Sequence, residues 1–192
     1  ACTLTLTIAP HMEMQGYHRE WIDFLEKALG QAGAQDDLCT CAQLHVLIGR
    51  LLQHMNEYAA AEQQLQRGRD LCAQCNDRRV LVTVLERLGA NAMERADFAL
   101  ARSYAQQALA LLEPEDPATA PSHGILGLLA LRQANWEEAI TQYTFVRLLR
   151  ERQGMARFVA QAVRDLGYAT MYARRYDEAL GYYQQALQIF AE

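Results

Sequence analysis

Four glycines recur along the chain at nearly constant spacing and in closely similar surroundings. They are Gly49, Gly89, Gly127 and Gly167, which are separated by 40, 38 and 40 residues. An aromatic residue follows each glycine by nine positions, and an alanine follows by twelve; these are Tyr58, Phe98, Trp136 and Tyr176, and Ala61, Ala101, Ala139 and Ala179. A period of this length predicts one small structural unit per copy, with neighbouring units stacked to bury a continuous core.

Each repeat is predicted to form two antiparallel helices. Ala, Leu, Gln, Arg and Glu dominate the composition, and these residues favour helix over strand. A glycine or alanine at a helix crossing lets two backbones approach closely, and a large neighbour fills the adjacent hole. We expect the aromatic residue to close the end of its own hairpin. Asp97 and Asn135 precede second helices and are predicted N-caps.

The pattern resembles the tetratricopeptide repeat (TPR) family between Leu38 and Phe190. It departs from that family in its longer period, in lacking most closing prolines, and in replacing the first-helix aromatic by residues such as His45. The resemblance implies an all-α, right-handed superhelical α-solenoid of TPR-like helix-turn-helix hairpins. The longer period is similar to that of the C-terminal TPR arrays of bacterial STAND-class signalling ATPases and related transcriptional regulators.

One continuous solenoid domain is predicted, with boundaries set by the repeat. Residues 1–37 read as a degenerate N-terminal hairpin, followed by TPR 1 at 38–77, TPR 2 at 78–116, TPR 3 at 117–154 and TPR 4 at 155–192. We expect a short or distorted helix over Leu4 to Met14, because Pro10 lies within it. Three prolines between Glu113 and Ser122 predict a linker. The absence of an initial Met and the helical pattern at the C-terminal end suggest a fragment of a longer protein.

Candidate ligand positions come from the TPR resemblance, which places first helices on a concave face. The residues three before, one after, and four to five after the repeat glycine would point into that groove. We single out Arg50, His54, Glu86, Arg132, Arg164, Tyr168 and Tyr172; the same positions also hold Val46, Gln53, Ala90, Met93, Glu94, Gly124, Leu128, Leu131 and Met171. Arginine and tyrosine often anchor interfaces, so an acidic or C-terminal carboxylate ligand is the expectation.

The cysteines offer an alternative site. Cys39 and Cys41 open one helix, and Cys72 and Cys75 close its antiparallel partner, so four thiols could meet and bind tetrahedral zinc. Cysteine also serves as a small packing residue, and we favour that interpretation. His45 is expected to pack at a hairpin seam. The chain shows no phosphate loop, nucleophile elbow or acidic metal cluster, so we predict no catalytic residue, no metal and no cofactor.

Charge and hydropathy limit the partners. The net charge is -5, and basic residues form no run, so direct nucleic-acid binding is not expected. No apolar stretch reaches membrane-spanning length. The sequence therefore predicts a non-enzymatic, cytoplasmic module that binds a protein or peptide within a larger signalling or regulatory protein. Two alternatives are a structural segment that packs on its parent's ATPase domain or self-associates through exposed solenoid ends as a homodimer, and the cysteine zinc site.

Overall fold

Helices make up most of the computed structural model, which describes residues 18–191. The helices are α1 His18–Gly33, α2 Leu38–His54, α3 Tyr58–Cys75, α4 Arg78–Glu94, α5 Phe98–Leu109, α6 Ala120–Arg132, α7 Trp136–Arg152, α8 Ala156–Tyr172 and α9 Tyr176–Ala191, with one 3-10 turn at Pro117–Thr119. No strand occurs within 18–191. The predicted all-α class is confirmed, whereas the helix expected over Leu4 to Met14 lies outside the described residues.

The four predicted hairpins correspond to the helix pairs α2–α3, α4–α5, α6–α7 and α8–α9. Helix α1 precedes them, at the place of the second helix of the degenerate hairpin. The exact boundaries of the five predicted segments stay a prediction. The predicted linker is shorter than expected, because α6 already begins at Ala120. Pro121 lies in the first turn of that helix, where a missing backbone N–H costs nothing.

Short polar side chains start several helices, as predicted for Asp97 and Asn135. Asp97 Oδ1 accepts from the Leu100 N–H at 3.1 Å, and Asn135 Oδ1 accepts from the Glu138 N–H at 3.4 Å. Asp37 caps α2 and Asp77 caps α4 in the same way. These bonds satisfy N–H groups that the first helical turn leaves without a partner.

The turn inside each hairpin places one residue in the left-handed region, seven positions after the repeat glycine. These residues are Asn56, Ala96, Ala134 and Arg174, with φ between 57° and 61°. Asparagine tolerates this conformation. For alanine and arginine it is less favourable, because Cβ then lies too close to the following carbonyl oxygen. The turn is therefore imposed by the packing of the two helices and not by a turn-forming residue in every copy.

Three of the repeat glycines, Gly49, Gly127 and Gly167, lie at helix crossings, as the sequence predicts. A Cβ added to Gly49 would lie 2.8 Å from Leu65 Cγ, and one added to Gly167 would lie 2.7 Å from the Tyr183 ring. At Gly127 the ring of Tyr143 would be 3.0 Å away. In each case the large side chain comes sixteen residues after the glycine, from the second helix of the same hairpin.

Within residues 18–191, helix packing gives two compact units, which are divided between Tyr104 and Ala105. We refer to them as unit 1 and unit 2. The core of unit 1 contains Trp21 and Leu25 of α1 against Leu44, Ile48 and Leu51 of α2. In unit 2, one buried cluster joins Ala130, Ala139, Tyr143, Leu166 and Ala169, which come from α6, α7 and α8. Each unit thus supplies its own rigid support for the surface residues described next.

Candidate functional site

Two grooves lie between first helices of successive hairpins, one in each unit. The unit-1 groove lies between α2 and α4 and has a volume of about 310 Å³; its lining is Gln43, Val46, Leu47, Arg50, Arg79, Val80 and Thr83. The unit-2 groove involves α6, α7 and α8 and has a volume of about 410 Å³; its lining is Gly124, Leu128, Leu131, Tyr143, Arg164, Asp165 and Tyr168. Both lie where the TPR resemblance predicts a ligand face.

The unit-1 groove combines an apolar floor with arginine. Val46 and Val80 are buried, Arg50 is half-buried and Arg79 is exposed. Of the residues predicted for this part of the chain, Val46 and Arg50 line the groove. Gln53 instead serves the packing of α2 on α4: its Nε2 donates to the Arg87 carbonyl at 2.9 Å and to Asn91 Oδ1 at 3.3 Å.

The unit-2 groove differs in having aromatic residues in its lining. Leu128 is 39% exposed and Tyr168 is 46% exposed, so both present unusual amounts of apolar surface to solvent. Tyr143 is buried, with its ring packed on Gly127. Five of the seven lining residues were predicted: Gly124, Leu128, Leu131, Arg164 and Tyr168. The structure thus brings one predicted arginine and one predicted tyrosine together on the same groove.

An ion pair lies on the wall of the unit-2 groove. Arg164 donates from Nε at 3.0 Å and from Nη2 at 2.8 Å, and both bonds go to Asp165 Oδ1. Burial raises the pKa of Asp165, while the bond from Arg164 acts in the opposite direction. Burial also raises the pKa of the Tyr143 phenol, and the Asp165 charge adds to that effect. The guanidinium that was predicted to receive a ligand carboxylate is therefore already engaged by a neighbouring one.

Further aromatic rings extend this wall. Tyr168 meets Tyr183 edge-on, with ring centroids 6.0 Å apart and an interplanar angle of 89°. Tyr172 stacks on Trp136 at 5.2 Å. The predicted role of the aromatic residue after the turn is thus modified: Trp136 contacts the first helix of the following hairpin instead of only closing its own. Tyr176, at the same position in the fourth hairpin, is exposed.

The other predicted groove residues do not line these two grooves. His54 stacks on His18, with ring centroids 5.8 Å apart. Glu86 is half-buried on α4, and Arg132 is exposed at the last position of α6. These three residues therefore belong to separate parts of the surface, and a ligand role for each stays a prediction.

The four cysteines do not gather at one point. Cys41 lies in the buried cluster with Trp21 and Leu25, on a different face of α2 from Cys39. Cys39 Sγ lies 3.7 Å from the Cys75 carbonyl oxygen. The hydrogen bond with Cys75 raises the pKa of Cys39 to about 11, and burial raises the pKa of Cys72 to about 12. Thiolates are the form that binds zinc. Among residues 18–191, no three His, Cys, Asp or Glu side chains are placed to hold a metal ion.

Two histidines form equivalent polar seams within hairpins. His45 Nδ1 lies 2.7 Å from Gln64 Oε1 in the first hairpin, and His123 Nδ1 lies 2.7 Å from Gln142 Oε1 in the third. His45 is buried, and that burial lowers its pKa. The predicted packing of His45 at a hairpin seam is confirmed. In the part of the chain that the structure describes, no helix is long and apolar enough to span a bilayer.

Structural comparison shows what this arrangement is similar to. BtubC from P. vanneervenii aligns with a TM-score of 0.80 at 17% identity, covering 96% of this chain and 77% of that one. The nearly identical TPR-like repeats of a putative kinesin light chain from Podosopora anserina align at 0.71 and 14% identity, covering 98% and 94%. MamA from Desulfovibrio magneticus RS-1 aligns at 0.66 and 15% identity, covering 99% and 95%.

The chain has a TPR-like fold. The predicted TPR resemblance and helical-hairpin solenoid are thus confirmed as a fold. No family model and no curated protein matches the sequence. Sequence reasoning on the TPR pattern missed Asp165 and Tyr143 in the unit-2 groove. The sequence carried one signal for Asp165, namely a carboxylate at a repeat position where the first and third hairpins have the apolar residues Leu47 and Ile125 and the second has Arg87.

Proposed function

We propose that the chain is a protein-interaction module that binds a peptide segment of its partner in the grooves between TPR-like hairpins. The observation that carries this proposal is the unit-2 groove, five of whose seven lining residues occupy positions that the resemblance assigns to ligand contact. Helices on both sides support these residues, so the groove needs little ordering when a ligand binds. Pre-organisation of this kind lowers the entropic cost of association.

Apolar surface supplies the driving force for binding in the unit-2 groove. Leu128 and Tyr168 are both substantially exposed on its wall. Complete burial of one large apolar side chain contributes roughly 1.5–3 kcal/mol. Tyrosine is also enriched among the few residues that dominate binding energy. We therefore expect Tyr168 to be the main anchor.

The proposed setting is a larger cytoplasmic signalling or regulatory protein, in which the chain acts as a non-catalytic sensor segment. A bacterial STAND-class ATPase or transcriptional regulator is the parent that the long repeat period favours. The partner would be a protein or a peptide, with specificity set by the side chains on the groove walls.

The test is selection of peptides from a displayed random library on the purified chain, followed by affinity measurement with fluorescence anisotropy. Tyr168→Ala should lower the binding affinity for the selected peptides by roughly ten-fold or more, as expected for an anchor residue. Tyr176→Ala is the matched control, because Tyr176 is exposed outside the groove. Equal affinities for wild type and Tyr168→Ala across all selected peptides would contradict the assignment of the groove.

A second candidate function is association through helix α9. Leu180, Leu187 and Phe190 are exposed on this helix, and Leu187 is 70% exposed. Their spacing of seven and three residues places them on one face. This face would pack on a second copy of the chain or on the ATPase domain of a longer parent. Light scattering tests self-association: a concentration-dependent dimer that Leu187→Asp converts to monomer supports it, and a wild-type monomer at high concentration contradicts it.

A further inference from the structure

The Asp165 carboxylate on the wall of the unit-2 groove influences which ligand charge this groove favours. The Asp165 side chain is 30% exposed, whereas its partner Arg164 is 50% exposed. The negative charge is therefore held closer to the protein interior than the positive one. A charge in a less hydrated position acts more strongly on a ligand, since water screens it less.

The geometry of the ion pair leaves room for a second cation. Both bonds from Arg164 go to Oδ1 of Asp165. A carboxylate can accept about four hydrogen bonds on its two oxygens, so Oδ2 keeps acceptor capacity. The two bonds use two of the five N–H groups of Arg164, so an anionic ligand could accept only from the others. It would then lie beside the Asp165 carboxylate, whose charge repels it.

Aromatic rings around Asp165 favour the same sign of charge. Tyr143 and Tyr168 line the groove with it, and Tyr183 meets Tyr168 edge-on. The face of an aromatic ring carries negative potential and attracts ammonium and guanidinium groups. Leu128 and Leu131 supply an aliphatic surface on the same groove. A carboxylate, aromatic rings and an aliphatic wall together match a side chain with an apolar stem and a positive end.

We propose that the unit-2 groove binds a lysine side chain of the partner peptide, with its stem on Leu128 and Leu131 and its ammonium against Asp165 and Tyr168. This inference rests on the proposed function, since it names the ligand chemistry of the same groove. Lysine fits because its ammonium is compact and can donate three hydrogen bonds. Arg164 shares the same carboxylate as a competing cation and so weakens its attraction for the ligand ammonium.

The experiment uses three small probes that share one backbone: N-acetyl-lysine methylamide, N-acetyl-norleucine methylamide and N-acetyl-glutamate methylamide. Binding is followed by the backbone amide NMR shifts of Leu128, Leu131 and Tyr168. We expect the lysine probe to bind about three- to five-fold more tightly than the norleucine probe, in line with a partly hydrated cation site. The glutamate probe should bind most weakly, and added salt should reduce the lysine advantage.

Two variants distinguish a preference for positive charge from non-specific apolar binding in the groove. Asp165→Asn should remove the difference between the lysine and norleucine probes, whereas Arg164→Ala should increase it by freeing the carboxylate. Circular dichroism verifies that both variants fold. If Asp165→Asn does not fold, the comparison of lysine with norleucine in the wild type and in Arg164→Ala decides the question.

Several outcomes would overturn the inference. Tighter binding of the glutamate probe, or an unchanged lysine advantage in Asp165→Asn, would show that Asp165 does not select the ligand. Equal binding of lysine and norleucine would remove the charge preference but leave the groove as a binding surface. If none of the probes changes the NMR shifts of these amides, the lysine site is absent. The proposed function is then tested separately, by peptide selection and the comparison of wild type with Tyr168→Ala.

Discussion

The two grooves occupy the same place in the repeat but differ in chemistry. The unit-1 groove is lined by Arg50 and Arg79 beside valine and leucine, and its described lining residues include no carboxylate. In the unit-2 groove, Arg164 is bonded to Asp165, and tyrosines line the wall. The repeat thus places a groove at the same position in both units, whereas residues at a few variable positions give each groove its own charge. Under our proposals, the two grooves therefore favour ligands of opposite charge.

The largest expected effect concerns the helix crossing beneath the unit-1 groove. Gly49→Ala places a Cβ 2.8 Å from Leu65 Cγ, and Leu65 is fully buried, so it cannot move aside. Overpacking of this kind should lower the free energy of unfolding by about 1–3 kcal/mol. Urea denaturation measures the change.

Gly124→Ala is the matched control, on the wall of the unit-2 groove. Nothing lies within 4 Å of its added Cβ, so the helix should gain about 0.5–1 kcal/mol from the loss of a flexible glycine. Destabilisation by both substitutions would mean that the packed crossing at Gly49 and the open groove wall at Gly124 respond alike to an added methyl group, which would remove this part of the comparison.

The next effect concerns ligand charge in the unit-1 groove. With the same three probes, we expect the glutamate derivative to bind about two- to five-fold more tightly than the lysine derivative, since exposed ion pairs contribute up to about 1 kcal/mol. The amide shifts of Val46 and Thr83 report binding here. Arg79→Gln should reduce this preference, while Arg69→Gln, an exposed arginine on α3, should leave it unchanged. A lysine preference in both grooves would break the contrast between the units.

The smallest effect is a pH dependence from the His45 seam in unit 1. Burial lowers the pKa of His45 in the folded state below its value in the unfolded chain, which is about 6.5. The unfolded state therefore binds more protons below that pH, and the free energy of unfolding should fall as the pH drops from 7.5 to 5.5. In the His45→Leu variant, the free energy of unfolding should depend less on pH over this range. Equal slopes for the two proteins, measured by denaturation at each pH, would show that His45 does not titrate differently on folding.

Much of the architecture could be predicted because glycine, aromatic and alanine recur at fixed offsets. The helix pairs, the Asp97 and Asn135 caps, the glycine crossings and the seam position of His45 all follow from local rules of helix packing and capping. Such rules depend on residues within one hairpin. The left-handed Ala96 and Ala134 lack that local signal, because alanine does not favour this conformation.

The candidate site could be predicted only in part, because its chemistry depends on neighbours from other elements. Gln53 was assigned to a ligand groove, but it bonds to α4 instead. Arg164 was assigned to an acidic ligand, but Asp165 engages it. Each of these outcomes is a competition between a ligand and a protein group for the same hydrogen bonds. Repeat position alone does not resolve that competition, since it locates a side chain without identifying its partner.

The histidine–glutamine seams have a consequence for how such a chain can be recombined. In the first and third hairpins, His45 and His123 pair with Gln64 and Gln142, whereas the second hairpin holds Leu85 and Tyr104 at those positions. A chimera joined between hairpins keeps each histidine with its glutamine. A junction inside the turn that joined the first helix of the first hairpin to the second helix of the second would instead place His45 opposite Tyr104, which has no amide oxygen. The whole hairpin, and not the single helix, is therefore the smallest module that can be exchanged.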